Sequence, residues 1–146
     1  MNAYDISATG LTAERLRMDV IANNIANVDS TQTPGGGPYK KEQVVFEPRN
    51  PSFLDLLSSF RGNSSLASGL GGVKVAGIIQ DPAPPRLVYD PTSPLANSKG
   101  FVAYPHINIV KEMVDLIDAS RAYQANVTVM TETSAMGKAA QAIAQA

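Results

Sequence analysis

The sequence contains no cysteine, no tryptophan and a single histidine. The missing cysteines exclude disulfides, thiolate metal sites and cysteine nucleophiles. Aromatic residues make up only 6% of the chain, which is little material for a surface that stacks nucleic-acid bases. Twelve basic and thirteen acidic residues give a net charge of −1, so a basic footprint for nucleic acid or for an anionic membrane is missing. These absences point away from nucleic-acid binding and from thiol chemistry.

Long hydrophobic runs are also missing. No apolar stretch approaches the ~18 residues that a membrane-spanning helix requires. The first ten residues, MNAYDISATG, have neither a basic segment nor the apolar segment of a secretory signal. We therefore expect no membrane insertion. If the protein leaves the cytoplasm, we expect a route that does not use a standard cleaved signal peptide.

What the sequence does contain is an uneven distribution of proline and glycine. All ten prolines and nine of the eleven glycines lie within residues 30–106. The flanking segments are free of proline and show helical spacing of apolar residues. The sequence therefore predicts an α+β fold, with long N- and C-terminal helices packed as a coiled-coil-like pair and a small Gly/Pro-rich β region between them. We expect the parts to be residues 1–31, 32–106 and 107–146.

The first segment has apolar residues on two faces. Leu11, Met18 and Ile25 recur every seven residues, and Ile21 and Val28 add the alternate step of one helical stripe. A second, shorter apolar set falls on roughly the opposite face. A surface helix of a globular protein needs only one buried face, so this pattern predicts neighbours on two sides.

The last segment carries a strict seven-residue series. It consists of Ile109, Leu116, Tyr123 and Met130, and Met113 and Val127 lie at intermediate positions. One helix over residues 107–143 would be ~55 Å long, whereas a compact globule of this length is ~38 Å across. Such a helix would project from its domain, and its apolar stripe would need a cover.

The central region reads as short strands separated by loops. Residues 39–48, 72–79, 86–90 and, more weakly, 100–105 are rich in Val, Ile, Tyr and Phe, as strands are. Residues 51–60 are compatible with a short helix, and residues 61–72 have the composition of a mobile loop.

Candidate catalytic or ligand-binding groups are few. His106 has no metal-ligating or catalytic partner at useful spacing, and we expect it at the entrance of the last helix. The glycine clusters match neither phosphate-binding pattern. An enzyme would have to use acids near the strands, namely Glu42, Glu47, Asp81 and Asp90. The sequence predicts no metal, no cofactor and no small-molecule substrate.

Three asparagines near the end of the first helix call for an explanation, because Asn is a mediocre helix former. Asn23, Asn24 and Asn27 lie within five consecutive positions. They either cap a fraying helix end or hydrogen-bond across a helix–helix contact, where they would fix the register. Asn126 offers a matching amide in the last helix. The sequence favours the packing interpretation.

Two motifs resemble a known family. NNIANVDS near the N-terminus and SRAYQANVTVM near the C-terminus are similar to the paired end motifs of bacterial flagellar axial proteins. YKKEQVVF and the segment from residue 72 to 127 resemble the proximal-rod members of that family. The resemblance implies a structural protein and not an enzyme. Family members assemble helically with copies of themselves and with other rod proteins into the torque-transmitting shaft of the basal body, which crosses the cell envelope. They reach it through the flagellar export apparatus without a cleaved signal peptide.

The resemblance, together with the apolar and amide patterns, identifies candidate assembly-interface residues. These are Leu11, Met18, Ile21, Asn23, Asn24, Ile25, Asn27, Val28, Ile109, Met113, Leu116, Tyr123, Asn126, Val127 and Met130. Three alternatives stay open at this point: another rod or hook subunit of the same family, an enzyme that acts on cell-wall polymer, and a soluble coiled-coil adaptor.

Overall fold

The computed structural model describes residues 3–49 and 71–144. Its elements follow the order α1 (Ala3–Ala26), β1 (Glu42–Pro48), β2 (Val73–Gln80), β3 (Arg86–Tyr89), β4 (Phe101–Tyr104) and α2 (Ile109–Ala144). The long terminal helices and small antiparallel sheets confirm the α+β prediction. Among the described residues, neither helix combines the length and the apolar content that crossing a bilayer would take.

The first helix ends where its sequence turns to polar and turn-forming residues. The N–H of Asn27 still donates to the carbonyl of Asn23 at 3.1 Å, but the N–H of Val28 turns back to Ile25 in a tighter turn. The chain then reverses, and the N–H of Tyr39 donates to the carbonyl of Ser30 at 2.9 Å. This reversal directs the chain back along α1 toward β1.

The second helix has a defined start. The side chain of Asn108 accepts a hydrogen bond from the N–H of Lys111 at 3.2 Å, which satisfies one of the free donors of the first turn. From there α2 continues for 36 residues, about 54 Å. The prediction of one long, projecting C-terminal helix is confirmed.

The two helices pack antiparallel. Gly10 near the start of α1 lies against the side chain of Asn126 at the middle of α2. Asn24 near the end of α1 contacts Glu112 in the first turn of α2. Gly10 and Asn24 are fourteen residues apart in α1, and Glu112 and Asn126 are fourteen residues apart in α2. The two helices therefore keep a constant register between these contacts.

The longer helix extends beyond its partner. Ala3 precedes Gly10 by seven residues, and the residue seven beyond Asn126 is Thr133. The last eleven residues of α2, 134–144, therefore project about 16 Å past the described part of α1. We refer to this segment as the overhang.

All four predicted strands are present, in two two-stranded antiparallel sheets. In the first sheet Glu42 pairs with Gln80 and Pro48 with Val73, with an irregularity between Val45 and Phe46. In the second, β3 pairs with β4, and the rings of Tyr89 and Phe101 meet edge to face at 5.3 Å. The expected short helix at residues 51–60 and most of the expected loop at residues 61–72 lie outside the described residues.

The first sheet is tied to α1 by a close approach. The hydroxyl of Thr9 accepts a hydrogen bond from the N–H of Val73 at 3.2 Å and donates to the carbonyl of Ile6. Gly72 has a φ of +75°, and a Cβ there would lie 2.4 Å from the Thr9 hydroxyl oxygen. Only glycine meets both conditions, so this position fixes where the sheet meets the helix.

Candidate assembly surfaces

The described part of the chain buries few large apolar side chains. Its buried apolar residues include Ala13, Val20, Ile21, Val102 and Ala119. Fifteen large apolar residues within the same described ranges are exposed. Two features therefore bear on assembly: the contacts that hold the helices in position, and the apolar surfaces that the helices leave uncovered.

Asn24 is the centre of a buried polar cluster. Its side chain is 0% exposed. The amide nitrogen donates to the carbonyl of Glu42 at 2.8 Å and to Oε2 of Glu112 at 3.1 Å. The amide oxygen accepts from the N–H of Glu42 at 2.9 Å and from the hydroxyl of Tyr39 at 3.1 Å. All four hydrogen-bonding positions of the amide are thus used, and they join α1 to the segment before β1, to β1 and to α2.

Glu112 completes this cluster from α2. The residue is 1% exposed, and its Oε1 lies 2.5 Å from the ammonium of Lys41. A buried carboxylate needs both a counter-charge and hydrogen-bond donors, and Lys41 and Asn24 supply them. Its place in the first turn of α2 adds the favourable field of the helix N-terminus. We call Asn24, Tyr39, Lys41, Glu42 and Glu112 the asparagine network.

Tyr39 lies close to the acidic groups of the network. Partial burial raises the pKa of its phenol above the usual 10.0, and the negative charges of Glu42 and Glu112 raise it further. The phenol donates to Asn24 and accepts a hydrogen bond at 3.2 Å from the amide of Asn23. The neutral form of Tyr39 is therefore the one that the fold stabilises.

The other two asparagines form a ladder at the end of α1. The amide nitrogen of Asn27 donates to the side-chain oxygen of Asn23 at 2.9 Å and to its carbonyl at 3.0 Å. The amide oxygen of Asn27 accepts from the hydroxyl of Ser30 at 3.0 Å. Capping and packing are thus both present: Asn27 and Asn23 cap the helix end, whereas Asn24 packs against three other segments.

The seam between the helices contains small and polar residues. Glu112, Ala119 and Asn126 recur every seven residues on the side of α2 that faces α1, and Glu112 and Ala119 are fully buried. Met113 and Val127, which the sequence assigns to an assembly interface, are exposed. The two helices approach each other closely, because a Cβ added to Gly10 would lie 3.0 Å from the amide nitrogen of Asn126. Small and polar residues therefore occupy the seam at this point.

Apolar residues that lie away from the seam form an exposed ridge on α2. Val110, Met113, Val114 and Ile117 follow the spacing of one helical face, and each is at least half exposed, with Val110 at 70%. We call these four residues the α2 ridge. Exposed apolar residues grouped on one helical face are typical of interaction sites.

A second apolar surface lies at the other end of the helix pair. Tyr4 and Leu11 of α1, with Val127 and Met130 of α2, line an open groove of about 560 Å³ that continues to Lys138. We call it the open-end groove. It lies where α2 begins to extend past α1, so no second helix of the described chain closes it.

The structure distributes the sequence-predicted interface residues over three environments. Ile21 and Asn24 are buried; Leu11, Met18, Ile25, Asn27, Val28, Leu116, Tyr123, Asn126 and Met130 are half-buried; and Asn23, Ile109, Met113 and Val127 are exposed. The amide of Asn24 has all its contacts inside the chain, which leaves the exposed and half-buried residues as the surface that can meet a neighbour.

Sequence reasoning missed Glu112, Lys41, Tyr39 and Gly10. A signal was present for Glu112, because its carboxylate stands at the seven-residue position of Ala119 and Asn126, beside the apolar series of Leu116 and Tyr123. For Lys41 and Tyr39 the signal was weak, since their partners are fifteen or more residues away along the chain.

The acids that an enzyme would use are engaged in local structure. Asp81 accepts a hydrogen bond from the N–H of Ala83, and Glu47 lies 3.2 Å from Lys74. The hydroxyl and N–H of Thr92 donate to Asp90 and lower the pKa of that carboxyl, which is the opposite of what a general acid needs. Within residues 3–49 and 71–144 no group of three or more acidic or histidine side chains is placed to hold a metal ion.

Two family models match this chain. Residues 5–33 match the model described as flagella basal body rod protein, and residues 98–143 match the model described as flagellar basal body rod FlgEFG protein C-terminal. The first covers most of α1 and the asparagine ladder, and the second covers β4 and all but the last residue of α2. The sequence resemblance is thereby confirmed at both ends of the chain.

Similarity to curated proteins extends over nearly the full length. The chain is 45% identical to the flagellar basal-body rod protein FlgC of Borreliella burgdorferi, over 99% of this chain and 97% of that protein. It is 42% identical to the protein of the same name from Escherichia coli O157:H7, over 93% and 91% of the two chains. For the Bacillus subtilis protein of that name the identity is 41%, over 92% and 91%.

Proposed function

Because this chain belongs to the family of flagellar basal-body rod proteins, and is a structural rod subunit and not an enzyme, we propose that it builds the proximal rod through the α2 ridge and the open-end groove. Its place is the flagellar basal body, where it assembles with other rod proteins. The finer proposal concerns the mode of assembly. Copies of the chain and other rod subunits pack helically, and the resulting shaft crosses the envelope and transmits torque.

The observation that carries this proposal is the uncovered α2 ridge. Covering four half-exposed apolar side chains stabilises a contact by on the order of 5 kcal/mol before ordering costs. Each subunit of a helical assembly repeats the same contact, so a modest pairwise energy adds along the shaft. The open-end groove and the overhang provide a second uncovered surface at the opposite end of the same helix pair.

The pairing of α1 with α2 supports the coiled-coil-like part of the proposal. The seam residues of α2 recur at seven-residue steps, as they do in coiled coils. In the assembly, helices of neighbouring subunits lie beside this pair and cover the ridge. Export through the flagellar apparatus, without a cleaved signal peptide, is part of this proposal because of the family resemblance.

The proposal is tested by making the α2 ridge polar. In cells that lack their own copy, tagged chain with Met113→Ser and Ile117→Ser is expected at least tenfold depleted from detergent-extracted basal bodies, with motility lost. Exposed substitutions of this kind change the stability of the isolated chain by only about 0.5 kcal/mol. The control is Met113→Leu with Ile117→Leu, which keeps the ridge apolar. Normal incorporation of the serine variant would rule out the ridge as an assembly surface.

A further inference from the structure

The seven-residue repeat of the helix pair leaves its register ambiguous. Leu11, Met18 and Ile25 repeat in α1, and Leu116, Tyr123 and Met130 repeat in α2. When both helices carry the same repeat, sliding one by seven residues returns apolar residues to apolar neighbours. Apolar contacts alone therefore permit registers that differ by ~10 Å along the helix axis.

The contact at Gly10 does not remove this ambiguity. In the register that the structure shows, Gly10 meets Asn126. After a seven-residue slip it would face Ala119 in one direction and Thr133 in the other. Alanine is smaller than asparagine and threonine is of about the same size, so this contact tolerates either slip.

The asparagine network does remove it. A slip by seven residues would place Glu112 either opposite Arg17 or beyond the C-terminal end of α1. In the first case Arg17 would neutralise Glu112, but the ammonium of Lys41 and the second N–H of Asn24 would lose their partner inside the protein. In the second case Glu112 would lose both donors. Each wrong register therefore leaves buried polar groups unsatisfied.

We propose that the Lys41–Glu112 pair, with its hydrogen bond to Asn24, specifies the register of α1 and α2 and adds little to their stability. A buried ion pair must offset a large desolvation cost, so exchanging both partners for apolar residues of similar size leaves stability nearly unchanged. The pair makes every alternative register less stable, because each of them leaves buried polar groups without partners. It thereby fixes where the α2 ridge lies relative to the sheet and how far the overhang projects. The inference depends on the geometry of the chain and not on the proposed rod function.

The absence of cysteine makes a direct test practical. Asp19→Cys and Glu132→Cys place spin labels at exposed positions on α1 and α2, as the only thiols in the chain. Double electron–electron resonance on this labelled full-length protein should give one narrow distance. Adding Lys41→Met with Glu112→Leu should produce a second population displaced by ~10 Å, while the melting temperature falls by no more than about 10 °C, because the buried amide of Asn24 loses one acceptor.

A matched control uses another ion pair of the same chemistry. Glu47→Leu with Lys74→Met removes an exposed pair, 3.2 Å apart, that does not touch α2. This control should keep the single distance. A single distance in the protein that carries Lys41→Met and Glu112→Leu would overturn the inference, as would a labelled parent without one defined distance. Loss of helix in that variant would also overturn it, because the pair would then supply stability. Motility is not part of the readout, so failure of the rod proposal would leave this result intact.

Discussion

The two ends of the α1–α2 pair are built in opposite ways. At one end Asn24, Glu112 and Lys41 satisfy one another inside the chain. At the other, Leu11 and Met130 line a groove that no helix of the described chain covers. At the closed end the contact between the two helices is polar and complete, whereas at the open end the groove between them is apolar and unfilled. We infer that the helix–helix contact fixes the subunit at one end and leaves room for a neighbour between the helices at the other.

We expect the largest loss of stability from removing the side chain of Asn24, at the centre of the closed end. Asn24→Ala leaves the N–H of Glu42 and the hydroxyl of Tyr39 without their acceptor and removes a donor from Glu112. Unsatisfied buried groups should lower the free energy of unfolding by roughly 2–4 kcal/mol, measured by urea denaturation. Asn23→Ala, one residue away but exposed, should cost less than about 1 kcal/mol. Equal losses would show that the buried position of Asn24 carries no special weight.

Substituting glycine by leucine should have smaller effects on stability, with opposite signs in the seam and in the overhang. Gly10→Leu forces a side chain into the space of the Asn126 amide and should destabilise the chain by about 1–3 kcal/mol. Gly137→Leu lies in the overhang, where a Cβ meets nothing within 4 Å. It should stabilise the helix by roughly 0.5–1 kcal/mol, since leucine is the better helix former. Thermal unfolding followed by circular dichroism measures both. Changes of the same sign would contradict the assigned register.

The smallest effect concerns pH at the closed end. Burial and the charges of Glu42 and Glu112 raise the pKa of Tyr39 in the folded chain above its unfolded value. The stability linked to Tyr39 is therefore complete below the unfolded pKa, about pH 10, and is lost as the pH rises from there through the folded pKa.

Ultraviolet titration of the five tyrosines tests whether the pKa of one phenol is raised above its ordinary value. One phenol should ionise later than the others, and Tyr39→Phe should remove that late component. A Tyr4→Phe variant, altered at an exposed tyrosine, serves as the control and should keep it. If the Tyr4→Phe control lost the late component, that component would belong to Tyr4 and not to Tyr39.

Local patterns in the sequence were enough to locate the secondary structure. The proline-free ends became the two helices, and Val- and Ile-rich segments such as residues 72–79 became strands. The spacing of Leu116, Tyr123 and Met130 also identified the half-buried side of α2. Periodicity placed Glu112 and Asn126 beside that side of α2 but could not reveal that Glu112 is buried there, because a polar residue enters a seam only when a partner elsewhere satisfies it.

The sequence by itself determined the helical ends, the strands between them and the family, because each of these depends on residues close together in the chain or on ordered motifs. Only the tertiary structure decided the roles of the individual side chains. Asn24 became buried, and Met113 exposed, once the helices met at Gly10 and the chain returned Tyr39 and Lys41 to the end of α1. The reason is that a hydrogen bond or an ion pair requires two groups to meet in space, and the spacing of residues along one helix does not specify what comes from another segment.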